Sequence, residues 1–284
     1  MLRFILMSTP ASLKFLGTGG ARFVVARQLR ASGGTVISAG EVTLILDPGP
    51  GTLVRCARSR PPVDVTSLNG VVLTHAHIDH SNDINILVDA LTGGGLWRRG
   101  LLFAPLECLE GENAVVLRYL RPFLDDVVVL EPETDYVVGD LKFRTSLPHR
   151  HGVDREVETY GVKFRLDGKT VSFMVDTAYF DGLVEGYADS DVLVMNVVRH
   201  LATHNPGVRQ LSSVDAEVLL EQIRPSRAIL THFGPTMLKA KPWVVAEQMT
   251  TRLGLPVMAA TDGMMFDVVK SVAPILGSGR GGEG

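Results

Sequence analysis

Residues 75 to 80 read His75-Ala76-His77-Ile78-Asp79-His80, three imidazoles and a carboxylate within six positions. Such a density of nitrogen and oxygen donors points to metal binding. Neutral imidazole and carboxylate suit zinc, with manganese or iron as alternatives. In an extended segment, residues two apart point the same way, so His75 and His77 can aim two rings at one point. Asp79 and His80 follow where the chain turns into a helix, and they can reach a second point nearby. With eight histidines in 284 residues, so close a grouping is a rare accident.

The motif needs a rigid support, and the flanking sequence supplies one. Val71 to Leu73 reads as a short buried strand that delivers the chain to His75. Helical periodicity follows over Asn82 to Leu91 and stops at Thr92-Gly93-Gly94-Gly95. Upstream, Leu13 to Leu16 is a strand ending in Gly17-Thr18-Gly19-Gly20. Thr35 to Ser38 and Val42 to Leu46 form a hairpin, and Asp47-Pro48-Gly49-Pro50-Gly51 turns the chain into a helix from Thr52. Further strands are expected at Leu101 to Phe103, Val127 to Leu130, Leu141 to Leu147, Tyr160 to Leu166, Val171 to Val175, Val192 to Val197, Ala228 to Leu230, Val257 to Ala259 and Met265 to Val269. Helices are expected at Ser213 to Gln222 and Pro242 to Leu253. Helices recurring among more numerous strands predict a layered α/β fold with mixed sheets. Residues 1–276 read as one domain, followed by a flexible Gly-rich tail at 277–284.

Composition narrows the partners. Hydrophobic residues make up 45 % and charged residues 21 %, as in an ordinary soluble globular protein. The net charge is −3, and the arginines are scattered among acids. That argues against nucleic acid, whose binders carry a basic face. The apolar start, Met1 to Met7, is too short for a secretory signal, and no run approaches the roughly 20 apolar residues of a membrane span. Cys56 and Cys108 stand far apart and in no ligand spacing, which fits a reducing, cytoplasmic setting, with a single bridge between them as the alternative. A small-molecule substrate is the expected partner, and self-association is left open.

Thr74 to His80 resembles the signature of the metallo-β-lactamase superfamily. Leu16-Gly17-Thr18-Gly19-Gly20 is similar to the opening strand and loop of its RNase Z-like and cyclic-phosphodiesterase-like members, and Asp47-Pro48-Gly49 to the turn before the first helix. The resemblance covers most of the chain. It implies an α/β fold, a four-layer αββα sandwich of two mixed β-sheets flanked by helices, with two metal ions at one edge. It also implies three further ligands. The third histidine follows a strand, where His149-Arg150-His151-Gly152 stands; His149 is taken as the ligand ahead of His151. The shared carboxylate is Asp176 of Val175-Asp176-Thr177, with valine where the family commonly has glycine. The last histidine is His232 of Thr231-His232-Phe233-Gly234. One ion would be held by His75, His77 and His149, the other by Asp79, His80 and His232, with Asp176 between them.

The chemistry that follows is hydrolysis by a hydroxide shared between the two metals. Asp79 is a candidate to relay a proton as well as bind metal. In related phosphodiesterases a histidine ahead of the last ligand contacts the substrate; His204 is the candidate, with His200 as the other choice. A small or cyclic phosphodiester is the leading substrate class. No long Gly/Pro-rich arm of the kind that grips tRNA is evident. A lactone or thioester could be cleaved by the same metal pair; redox chemistry at a di-iron site, whose members usually carry a glutamate at the position of His77, and a non-catalytic, metal-dependent sensor are the remaining readings.

Overall fold

Apolar alternation lays down the strands. In Leu141–Pro148, Leu141 and Phe143 are buried while Lys142 and Arg144 are exposed, the period of two that a pleated strand imposes. The computed structural model, which describes residues 10–152, 156–202 and 209–270, gathers its strands into two sheets of seven. The first holds β1 (Ser12–Phe15), β2 (Thr35–Ala39), β3 (Val42–Leu46), β4 (Gly70–Val72), β5 (Leu101–Ala104) and β6 (Asp126–Val129). The second runs from β7 (Asp135–Val138) through β8 (Leu141–Pro148), β9 (Tyr160–Leu166), β10 (Lys169–Met174), β11 (Val192–Asn196) and β12 (Arg227–Thr231) to β13 (Val257–Ala259). A last strand, β14 (Met265–Asp267), returns to pair with β1.

Each sheet changes character half-way. Strands β1 to β3 are antiparallel, whereas β3 to β6 are parallel. In the second sheet β7 to β10 are antiparallel, and β10 to β13 are parallel. Helices α1 (Ala21–Arg27), α2 (Thr52–Arg58), α3 (Ile78–Ser81), α4 (Ile84–Thr92) and α5 (Leu106–Leu109) accompany the first sheet. Helices α6 (Gly182–Tyr187), α7 (Ser213–Ile223), α8 (Pro235–Ala240) and α9 (Pro242–Leu253) accompany the second.

The strand period then sorts the side chains into layers. In β3, Leu44 and Leu46 enter the core between the sheets, while Ile45 joins the core beneath α2 and α4. In β12, Ile229 faces the central core, and Ala228 and Leu230 face the core beneath α7 and α9. Three apolar layers between four structural ones make the αββα sandwich that the resemblance implied. Among the described residues no helix is long and apolar enough to cross a membrane.

The differences from the expected elements have local causes. The helix expected at Asn82 begins later, at Ile84, because Ile78–Ser81 forms its own short turn first. It ends as expected, with Gly93 left-handed at φ 60°. Strand β7 escapes detection because it lies at the sheet edge with its face largely in solvent. The proposed tail at 277–284 lies outside the described residues.

Candidate metal centre

The first half of the site hangs from two parallel neighbours, β3 and β4. Leu46 pairs with Val72, so Asp47 emerges beside the chain that runs on to Thr74 and His75. Its carboxylate accepts from the Thr74 amide at 2.8 Å, the Thr74 hydroxyl at 2.7 Å and His80 Nδ1 at 2.9 Å. The threonine hydroxyl has one proton, and Asp47 receives it. The contact between Thr74 Oγ1 and His75 Nδ1 at 3.0 Å is therefore a donation from the ring. These bonds fix a proton of His75 and of His80 on Nδ1 and leave each Nε2 as the nitrogen that can bind a metal. Asp47 also falls within ligand range of His75 and His80, but its oxygens are engaged by three donors, so it orients the rings. Gly49 lets the turn pack flat on this loop, since a Cβ there would stand 2.1 Å from the Asp79 carbonyl.

The second half comes from the ends of β8, β10 and β12. His151 Nδ1 donates to the Arg209 carbonyl at 3.2 Å, which leaves its Nε2 lone pair 2.8 Å from His77 Nδ1. Asp176, just past β10, is buried. Its Oδ2 lies 3.6 Å from His151 Nε2 and 3.7 Å from His80 Nε2, and its Oδ1 lies 3.4 Å from His232 Nδ1. His232 follows β12 in a left-handed conformation, φ 60°, which costs a non-glycine residue about 1–3 kcal/mol. Gly20 lies against its ring: a Cβ there would meet His232 Nδ1 at 2.1 Å. The loop that ends at Gly20 is zipped to the same turn, Phe233 N donating to Thr18 O and Gly20 N to Phe233 O.

Donor atoms of His75, His77 and His151 all lie within 4.8 Å of one another, and so do those of Asp79, His80 and His232. Asp176 stands between the two groups. His75 Nε2, His80 Nε2 and both nitrogens of His232 are buried without a hydrogen-bond partner. Unpaired buried donors and acceptors are costly, and so many lone pairs aimed at a common space fit divalent cations. Charge supports this. Asp47 and Asp176 outweigh burial and draw His80 well above the usual imidazole range, and His80 and His232 in turn outweigh burial and hold the carboxyls of Asp79 and Asp176 below theirs, so both are anionic; a divalent cation would take the place of the His80 Nε2 proton. Burial keeps His75, His77 and His151 low and neutral, the form that binds metal.

His149 stands elsewhere. Its Nδ1 donates to the Asp176 main-chain carbonyl at 3.2 Å, and its Nε2 accepts from the Tyr187 hydroxyl at 2.8 Å. Both ring nitrogens are spent, and none is left for a metal. The structure thus groups His151, and not the expected His149, with His75 and His77. Burial lowers His149 to about 4 and pushes the Tyr187 phenol up, so the pair is neutral. His204 lies outside the described residues. His200 sits at the start of α7, its Nδ1 donating to Ser213 Oγ at 3.2 Å. Asn196 and Gln210, which touch Asp176, carry no sequence signal beyond being polar.

Comparison with known proteins agrees with this geometry. Residues 43–233 match the family model described as the β-lactamase superfamily domain. An uncharacterized protein of Methanocaldococcus jannaschii is 29 % identical over 262 residues, covering 90 % of this chain and 94 % of its own. The ribonuclease Z of Mycobacterium bovis is 26 % identical over 250 residues, 79 % of this chain and 86 % of its own. The crystal structure of the metallo-β-lactamase fold protein YhfI from Bacillus subtilis superposes with a TM-score of 0.74 at 18 % identity, covering 91 % of this chain and 99 % of that one. Matched over most of its length in sequence and carrying the histidine–aspartate constellation where the two sheets meet, the chain belongs to the β-lactamase superfamily of metal-dependent hydrolases.

Proposed function

We propose that the protein is a binuclear hydrolase that cleaves a small or cyclic phosphodiester. His75, His77 and His151 would hold one divalent ion, Asp79, His80 and His232 the other, and Asp176 would be shared. The observation that carries this reading is the pair of three-residue donor groups on either side of one buried carboxylate. Five imidazoles and two carboxylates favour zinc, with manganese or iron as alternatives. Two such ions, when bound, supply a Lewis acid for a phosphoryl oxygen and a means of lowering the pKa of water towards about 7.

The protein's own residues do the rest. Asp47 and Thr74 fix the tautomers of His75 and His80. Asp79, anionic and partly exposed at the mouth of the site, is placed to pass a proton to solvent. Similarity to ribonuclease Z supports phosphodiester chemistry. The net charge of −3 supports a small substrate ahead of a polynucleotide. Both cysteines are free and buried, in keeping with a cytoplasmic location.

The test combines metal analysis of the purified protein with a screen of bis-(p-nitrophenyl) phosphate, cyclic nucleotides, lactones and thioesters. Two equivalents of metal and phosphodiester turnover are expected. Turnover of lactones or thioesters alone would overturn the substrate class, and two metals with no turnover of any ester would turn the reading towards a sensor.

A further inference from the structure

The shared carboxylate is gripped on both oxygens by amides. Asn196 Nδ2 donates to Asp176 Oδ1 at 2.7 Å, and Gln210 Nε2 donates to Oδ2 at 2.7 Å. The amide orientation follows from chemistry, since an amide oxygen turned to a carboxylate would set acceptor against acceptor. Both partners are neutral, which matters here. A lysine or arginine in either place would also donate, but its charge would repel the divalent ions the same carboxylate is to hold. An amide restrains rotation of the carboxylate and leaves its charge for the metals.

The two amides arrive on adjacent stretches of backbone. Asn196 is the last residue of β11, and the chain beyond it pairs with the segment that carries Gln210. Val198 N and Arg199 N both donate to Leu211 O, and Ser213 N donates to Arg199 O at 2.8 Å. The Arg199 guanidinium donates to the Gln210 carbonyl. Two residues beyond Gln210, a capping box between Ser212 and Asp215 starts α7, so the segment is anchored on its far side as well. Its near side reaches the centre a second time, because the Arg209 carbonyl holds His151 Nδ1. The Gln210 Oε1 is buried with no donor among the described residues, so the bond to Asp176 is the polar attachment of that side chain.

We propose that Asn196 and Gln210 form an amide clamp: two positioning residues that fix the orientation of Asp176 and thereby the affinity and spacing of both ions. The inference rests on the metal-centre reading above. Its test uses the full chain, with Gln210→Leu, Gln210→Glu and Asn196→Leu compared with the parent protein. Zinc affinity is read by competition with a chromophoric chelator, ligand geometry by the visible absorption spectrum of the cobalt-substituted protein, and turnover by bis-(p-nitrophenyl) phosphate.

Gln210→Leu is expected to weaken the looser ion about 10- to 100-fold, to shift the cobalt bands, and to lower kcat more than it raises KM. Gln210→Glu keeps the size but loses the donor, so it is expected not to rescue; it also decides the matter if the leucine variant fails to fold. Asn196→Leu is expected to act in the same direction. Unchanged zinc affinity and cobalt spectrum in Gln210→Leu, or parental behaviour of Gln210→Glu, would overturn the clamp alone. A parent protein that takes up no metal would overturn the metal-centre reading and the clamp with it.

Discussion

The two halves of the centre are held by different means. On the side of the first sheet, a side-chain carboxylate, Asp47, sets the rings: it binds His80 directly and His75 through Thr74. On the side of the second sheet, His151 leans on a main-chain carbonyl, and His232 has no hydrogen-bond partner on either nitrogen. Its ring is aimed by a left-handed backbone and by the flat face of Gly20. Hydrogen bonding positions the rings of His75, His80 and His151, and shape positions that of His232. A ring located by packing alone tolerates less change in its neighbours, because nothing pulls it back once it is displaced.

The largest effects should come where the halves meet. Asp176→Ala is expected to abolish binding of the second ion and to cut turnover beyond the roughly 100-fold ceiling of outer-partner substitutions. Metal content and phosphodiesterase rates check this, and retained turnover contradicts the shared carboxylate. Next is the pair of histidines that the sequence leaves open. His151→Ala should lose an ion. His149→Ala should keep both ions but leave the Asp176 carbonyl without its partner and take the 2.8 Å acceptor from the Tyr187 hydroxyl, at a cost of about 1–3 kcal/mol. Urea unfolding of the metal-free variants, alongside metal counts, separates the two roles. An ion lost from His149→Ala and kept in His151→Ala would reverse the assignment.

The contrast between the halves is tested by two further substitutions. Gly20→Ala drives a methyl group into the His232 ring and should loosen only the ion held by Asp79, His80 and His232. Asp47→Ala releases both His75 and His80 and should loosen both ions, each by about 10- to 100-fold. Stepwise zinc competition distinguishes one weakened site from two. Equal loss at both sites in Gly20→Ala would mean that the packing of Gly20 does not act through His232 alone.

The same division governs what the sequence makes legible. Strand β4 and the ligand loop after it are read easily, because the donors are contiguous and their spacing is a local property. Helix α9 is also read to the residue, between a proline at its start and Gly254 at its end. His232 and Asp176 are legible only through the resemblance, since a lone histidine or aspartate at a strand end has many uses. The choice of His149 fails for a reason no local pattern contains. What disqualifies it is Tyr187, which arrives from α6, 38 residues downstream. Asn196 and Gln210 are missed for the same reason, as their partner lies 20 and 34 residues away. Residues that bind are marked by type, whereas residues that aim the binders are marked by tertiary contact.

The smallest expected effect tests whether the first half is as stiff as its hydrogen bonds suggest. Cys56 and Cys108 both lie in the apolar layer between the first sheet and its helices, fully buried. Burial pushes the Cys56 thiol up to about 12 and the Cys108 thiol further still. At pH 8 the buried Cys56 thus stays in its thiol form, whereas the thiolate is the form that reacts with a disulfide reagent. The native protein should therefore show almost no thiol reactivity over hours, with or without a chelator, and two reactive thiols once unfolded in denaturant. Release of either thiol when metal is stripped would show that the layer under His75 to His80 opens without its ions. That half would then be organised by the metals rather than prepared for them, and its contrast with the His232 side would disappear.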